Sequence, residues 1–147
     1  MSSWNVEGLT TIKVEEVCTY MICNSVDIMC IQETRRGNTD KYYTDRGFLV
    51  LLSGRGDGSK EYAGVGFLVS PSIQPSILGF TPHSSRTASL KLRVQGGCLG
   101  ICCVYAPHNL KPLPDRVSFY EELERSLRSM SVNGPKLVFG DLNARIG

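Results

Sequence analysis

Four segments of this 147-residue chain carry an apolar run into a polar end. They are Trp4-Asn5-Val6-Glu7-Gly8-Leu9, Ile31-Gln32-Glu33-Thr34, Val104-Tyr105-Ala106-Pro107-His108-Asn109 and Gly140-Asp141-Leu142-Asn143-Ala144. Layered α/β folds meet their ligands at strand ends, so a site built there would gather Asn5, Glu7, Glu33, Tyr105, Asp141 and Asn143. Carboxylates and amides in that combination suit a hard, oxygen-liking cation such as Mg2+. Each residue also has a plainer use. Asn5 and Asn143 suit turns that bond their own backbone, and Asp141 suits the cap of a following helix. Tyr105 suits a core edge with its hydroxyl at the rim, and Glu33 suits water. The shared strand-end setting favours a common site.

The elements that must hold these ends follow from hydrophobic period. Ser3 to Val6 reads as the end of a strand. From Thr11 to Asn24, Val14, Val17, Cys18, Met21 and Ile22 recur at helical spacing and predict one buried stripe. Ile28, Met29, Cys30 and Ile31 in succession predict a strand, Asp27 to Gln32, covered on both faces. Phe48 to Ser53 predicts another, followed by the polar loop Gly54 to Lys60. Next come Gly64 to Ser70, a segment around Ile73 to Phe80, and Ala88 to Val94, where Leu90, Leu92 and Val94 alternate with Lys91 and Arg93. Gly96-Gly97 predicts a two-residue hairpin turn into a strand from Leu99 to Ala106. Asp115 predicts the cap of a helix through Met130, with Val117, Tyr120, Leu123, Leu127 and Met130 on its buried face. Gly134-Pro135 ends it, and Lys136 to Phe139 is the last strand. Strand–helix–strand units at both ends, with hairpins between, predict an α/β sandwich of sheets covered by helices.

Composition narrows the class. With 41% hydrophobic and 20% charged residues, and no glycine period or sustained heptad, the chain is neither collagen, coiled coil nor disordered. No internal repeat or linker divides it, so one domain is expected. No apolar run of about 18 residues spans a membrane, and no basic stretch followed by an apolar one marks a secretory signal. The expectation is an intracellular protein, nuclear or cytoplasmic and not secreted. The net charge of +2 hides a gradient of −4 over residues 1–34, +6 over 35–116 and 0 over 117–147. That asymmetry fits a cation site beside an anionic ligand, and fits unevenly charged loops as well. Cys18, Cys23, Cys30, Cys98, Cys102 and Cys103 contain no C-x-x-C pair, and His83 and His108 complete no zinc pattern with them. They read as small buried hydrophobes.

The four segments, in order, resemble the signature strings of the endonuclease/exonuclease/phosphatase superfamily, metal-dependent phosphodiesterases that include the apurinic/apyrimidinic endonucleases. They correspond to its Trp-Asn-Val-x-Gly-Leu, Gln-Glu-Thr, Tyr-x-Pro-Asn and Gly-Asp-x-Asn. Gly64-Val65-Gly66 and Ser85-Arg86 extend the likeness. Phe119 to Leu123, together with Gly140 to Gly147, resembles the endonuclease domain of non-long-terminal-repeat retrotransposons and host proteins of the craniofacial development protein type. The resemblance implies a four-layered α/β/β/α sandwich of two mostly antiparallel sheets, of which residues 1–147 are an incomplete N-terminal portion. It implies Mg2+, with Mn2+ as an alternative, held by Glu33 with help from Glu7. It implies that Asp141 activates or orients the attacking water, with Asn143 beside it. Asn5 would keep the carboxylates in register and Tyr105 would touch the scissile phosphate. Arg35, Arg36, Arg86, His108 and Asn109 are the expected substrate contacts, joined on the rim by some of Arg55 and Lys60. The implied substrate is DNA, and the implied setting includes a longer polyprotein with reverse transcriptase.

Two departures stand out. His108 occupies the place where the family usually has Asn, with Asn109 one position later. The closing motifs, one Asp in a mid-domain strand and a terminal Asp-His pair, have no counterpart in the sequence. The expectations are therefore a DNA endonuclease of weak or no activity in this portion, a non-catalytic remnant binding cation or nucleic acid, or a superfamily member acting on phosphoinositide, sphingolipid or poly(A).

Overall fold

The computed structural model describes residues 1–54 and 63–143. The chain opens with β1 (Ser2–Asn5) and α1 (Thr11–Cys23). Thr10 caps α1, its Oγ1 accepting from Lys13 N at 3.1 Å, which satisfies one of the donors a helix start leaves open. Val14, Val17, Cys18 and Met21 form the buried stripe. Ile22, expected on it, is 52% exposed, because it lies at the margin of that stripe in the last turn of the helix; Ser25 then turns the chain at φ 52°. There β2 (Ile28–Gln32) begins, buried at every residue. Next come β3 (Asp40–Tyr43), which no periodicity announces, β4 (Leu49–Ser53) and β5 (Val65–Val69). The second half comprises β6 (Ile77–Pro82), β7 (Thr87–Val94), β8 (Gly97–Tyr105), α2 (Leu113–Ser129) and β9 (Lys136–Asp141).

The first sheet has strand order β1-β2-β5-β4-β3 and the second β6-β7-β8-β9. Side-chain alternation along β2 shows how the layers stack. Met29 and Ile31 join Val14, Val17, Cys18 and Met21 in the core beneath α1. Ile28 and Cys30 face the other way, into a core shared with Val65 and Phe67 of β5 and with Leu90, Leu92, Ile101 and Cys103 of the second sheet. On that sheet's outer face Cys102, Val104 and Ala106 pack against Phe119 and Met130. The result is the expected α/β/β/α sandwich.

Four local expectations are corrected. Register pairs Val94 with Gly97, so the hairpin turn is Gln95-Gly96, with Gly96 at φ 82°. Helix α2 starts earlier than expected, with Pro112 at its N-cap, and Asp115 lies in the first turn, where its charge complements the helix dipole. The buried face of α2 is carried by Phe119 and Ser126, with Leu123 and Leu127 beside them. Val117 is 46% and Tyr120 50% exposed. Of the cysteines, Cys18, Cys30, Cys102 and Cys103 are buried as expected, but Cys23 is exposed and Cys98 half-buried.

Candidate active site

Most strand pairs in both sheets are antiparallel, and the two parallel ones carry all four polar motifs. In the first sheet β1 pairs with β2, setting Asn5 beside Gln32. In the second β8 pairs with β9, setting Tyr105 beside Asp141. Parallel neighbours end on the same side, so each pair presents two motif ends together. The pairing runs past the strands, through Gly8 N to Glu33 O at 2.7 Å in one sheet and Ala106 N to Asp141 O at 2.8 Å in the other. Strands β1 and β9 are edges of their sheets and lie against each other across the sandwich.

The sheets meet at Glu33. Its Oε1 accepts from Asn5 Nδ2 at 2.9 Å and from the Tyr105 hydroxyl at 2.8 Å. Its Oε2 lies 3.6 Å from an Arg35 nitrogen, with the Glu33 side chain 16% and Arg35 43% exposed. A hydrogen bond to a charged group is worth roughly 1.5–3 kcal/mol, whereas an exposed ion pair is worth about 0–1 kcal/mol. Asn5 and Tyr105, not Arg35, therefore fix the carboxylate. Burial pushes the Glu33 carboxyl up, but the bonds from Asn5 and Tyr105 and the Arg35 charge outweigh it and leave the pKa lowered. Tyr105 answers in the opposite direction: burial, then its bond to Glu33 and that carboxylate's charge, push the phenol up to about 12. Arg86 lowers it and Asp141 raises it further, so both carboxylates act on one hydroxyl.

Backbone strain clusters at the same place. Among the described residues, five that are not glycine have positive φ, and four of these are Glu7, Glu33, Arg35 and Asn143. Left-handed backbone in non-glycine residues persists only where surroundings over-determine it, and it concentrates at functional sites. The other motif residues take up defined places. Asn5 Oδ1 accepts from Glu7 N, and the Glu7 side chain is exposed. Asp141 Oδ1 accepts from Asn143 N at 2.8 Å, while Asn143 Nδ2 donates to Ala106 O and so ties the ends of β8 and β9.

The expected substrate contacts divide. Arg86 donates to Tyr105 O at 3.1 Å and lies 5.2 Å from the centre of the Tyr105 ring. His108 meets that ring edge-on at 6.4 Å. Arg36 is directed elsewhere, its Nε donating to Leu9 O at 3.0 Å. Asn109 is exposed in the loop before α2. Arg55 and Lys60 lie outside the described residues. Thr34, quoted in its motif but not singled out, is 1% exposed and sits against Gly64. That glycine has φ 112°, and a Cβ on it would fall 2.1 Å from Thr34 Oγ1.

Among the described residues no three His, Cys, Asp or Glu side chains form an all-protein metal cage. Mg2+ is commonly held by one or two carboxylates plus waters and substrate oxygens, and Glu33 and Asp141 fit that pattern. The two donors on Glu33 Oε1 fix the direction of Oε2, which lies beside Arg35. No described helix is long and apolar enough to cross a membrane.

Known proteins share this fold. The crystal structure of the Xenopus laevis APE2 catalytic domain superposes with TM-score 0.64 at 18% identity, over 97% of this chain and 57% of that one. A humanized D. rerio TDP2 superposes with TM-score 0.62 at 16% identity, over 98% of this chain and 62% of that one. These likenesses are of fold. In sequence the chain is 24% identical over 147 residues to craniofacial development protein 2 of Tragulus javanicus and of Bos taurus. It spans about a quarter of the length of those relatives, 25% and 24%. Residues 2–146 match the Endonuclease/Exonuclease/phosphatase family. On that match, which runs through all four motifs and both parallel strand pairs, the chain belongs to the endonuclease/exonuclease/phosphatase family.

Proposed function

We propose that the chain carries the cation-binding and water-orienting part of a Mg2+-dependent phosphodiester hydrolase acting on DNA, of the apurinic/apyrimidinic-endonuclease or retrotransposon type. One observation carries this reading: Glu33 is held from both sheets through one oxygen, by Asn5 and by Tyr105, with its second oxygen beside Arg35. A carboxylate fixed in this way keeps its charge to low pH and its geometry without a cation present. Tyr105 and Arg86 form the wall that a phosphate would meet, with the phenol kept protonated across neutral pH and its proton given to Glu33. Asp141, opposite Tyr105 in the register of β8 and β9, would orient a water or take its proton. When bound, the divalent ion would be held by Glu33, with help from Asp141 and Glu7, and supply charge stabilisation for phosphate oxygens. DNA is favoured over lipid by the excess of bases between residues 35 and 116, since phosphate contacts dominate duplex affinity.

Rate is a separate question from binding. The sequence's two histidines are His83, bonded to Ser89 Oγ at 2.8 Å, and His108, against Tyr105. Neither adjoins an Asp in the sequence. Loss of one preorganised donor to a developing oxyanion typically costs on the order of 10²–10³ in rate. The test is plasmid nicking by the 147-residue chain and by the same chain extended with the remaining portion of a related domain. We expect little nicking from the former and Mg2+-dependent nicking from the latter, abolished by chelator and by Glu33→Ala. Nicking that survives Glu33→Ala, or an extended chain with none, would overturn the proposal.

A further inference from the structure

Gln32 is 1% exposed and shares the inward parity of Ile28 and Cys30 on β2, so its amide enters the apolar layer between the sheets. A primary amide in such a layer is unfavourable unless bonded. Its Oε1 accepts from Ser3 Oγ at 3.1 Å, and its Nε2 donates to Cys103 Sγ at 3.4 Å. Sulfur is a weak acceptor, and replacing both partners of a buried bond by apolar groups of equal shape is often neutral. Stability alone therefore does not explain a glutamine here.

Its position does. Ser3 lies two residues before Asn5 on β1, Gln32 one residue before Glu33 on β2, and Cys103 two residues before Tyr105 on β8. The three strands tied by the Gln32 amide are the three whose ends meet at the Glu33 carboxylate. We infer that Gln32 is a positioning residue: its directional bonds to Ser3 and Cys103 set the spacing of the two sheets behind the site, and so hold Asn5 and Tyr105 on Glu33 Oε1. The inference rests on the reading of Asn5, Glu33 and Tyr105 as one site.

The expected behaviour separates positioning from packing. Gln32→Met keeps chain length and volume but removes both bonds, and unbranched methionine fills irregular gaps well. In the metal-free protein, NMR should show the Asn5 side-chain amide close to the Tyr105 ring and slowed in exchange, both features being lost in Gln32→Met while the fold and the thermal midpoint are kept. In the extended chain used for nicking, kcat should fall about 10- to 100-fold, the scale of a displacement near 1 Å, with KM changed less than about 2-fold. Ser3→Ala should act in the same direction but less strongly, and Ser3→Ala combined with Gln32→Met should be no worse than Gln32→Met alone.

An unchanged Asn5–Tyr105 contact in folded Gln32→Met protein would overturn the inference, as would a lowered thermal midpoint with kcat intact. If Gln32→Met does not fold, Ser3→Ala, at an exposed residue, decides by the same NMR contact. A wild-type extended chain without nicking would remove the hydrolase reading, while the metal-free NMR comparison would still decide the role of Gln32.

Discussion

Glu33 carries opposing influences whose balance can be measured. Its folded pKa is lowered, so the sign is that of a carboxylate more easily ionised in the native state. The stability it contributes is present above the unfolded value of about 4.3 and is lost as pH falls through the lower folded value. Urea denaturation of the metal-free protein at stepped pH should show wild type ahead of Glu33→Gln near neutrality, with the gap closing only on acidification below about pH 5. A gap independent of pH would mean that Glu33 is not held as a charged acceptor. Tyr105 supplies the complementary reading. Its phenol, near 12 in the native protein, should move toward the ordinary value of about 10 in Glu33→Gln, followed by tyrosinate absorbance against a Tyr105→Phe control. The sequence pointed to a common site for Asn5, Glu33 and Tyr105, but not to the bonds that hold Glu33. Glu33 lies in left-handed backbone that its identity does not advertise, and the bonds reaching it span 28 and 72 residues of chain.

At the scale of elements, legibility depended on how many faces a pattern allows. The run Ile28 to Ile31 admits one reading and gave the right strand. Helix α2 admits two, because Val117, Phe119, Tyr120, Leu123 and Leu127 populate adjoining stripes and only packing on Val104 and Ala106 selects between them. Phe119→Ala should accordingly cost about 3–5 kcal/mol, the range for a buried aromatic, whereas Tyr120→Ala should stay within about 1 kcal/mol. Chemical denaturation of both variants checks the face directly, and equal costs would contradict it. The glycines that let strands close on the site form a second contrast. A Cβ on Gly140, at φ 139°, would fall 1.9 Å from Val104 O, a backbone atom that cannot step aside, whereas one on Gly79 meets nothing within 4 Å. Gly140→Ala should destabilise by more than the roughly 1–3 kcal/mol of a strained residue alone, and Gly79→Ala by almost nothing. A thermal-melt comparison with similar losses for both would show that β9 is not seated on β8 as described.

For the whole molecule, the layered fold followed from hydrophobic period, but the meeting of its two parallel pairs did not. Periodicity assigns faces and says nothing about which sheet edge opposes which, so the approach of β1 to β9 had to come from the fold. The basic middle shows the same limit, since Arg35 and Arg86 reach the site while Arg36 turns back to Leu9 O. If the motif rim meets a duplex, affinity should fall steeply between about 50 and 200 mM salt, and Arg86→Ala should reduce it more than Arg36→Ala in a fluorescence-anisotropy titration. Affinity indifferent to salt would remove DNA from that surface. The most direct test of the cation site is paramagnetic broadening of amide resonances by Mn2+ added to the 147-residue protein. The expected result is broadening concentrated at Asn5, Glu33, Tyr105 and Asp141, competed away by Mg2+ and absent in Glu33→Ala. Broadening unchanged in Glu33→Ala, or centred on acids remote from these four, would contradict it.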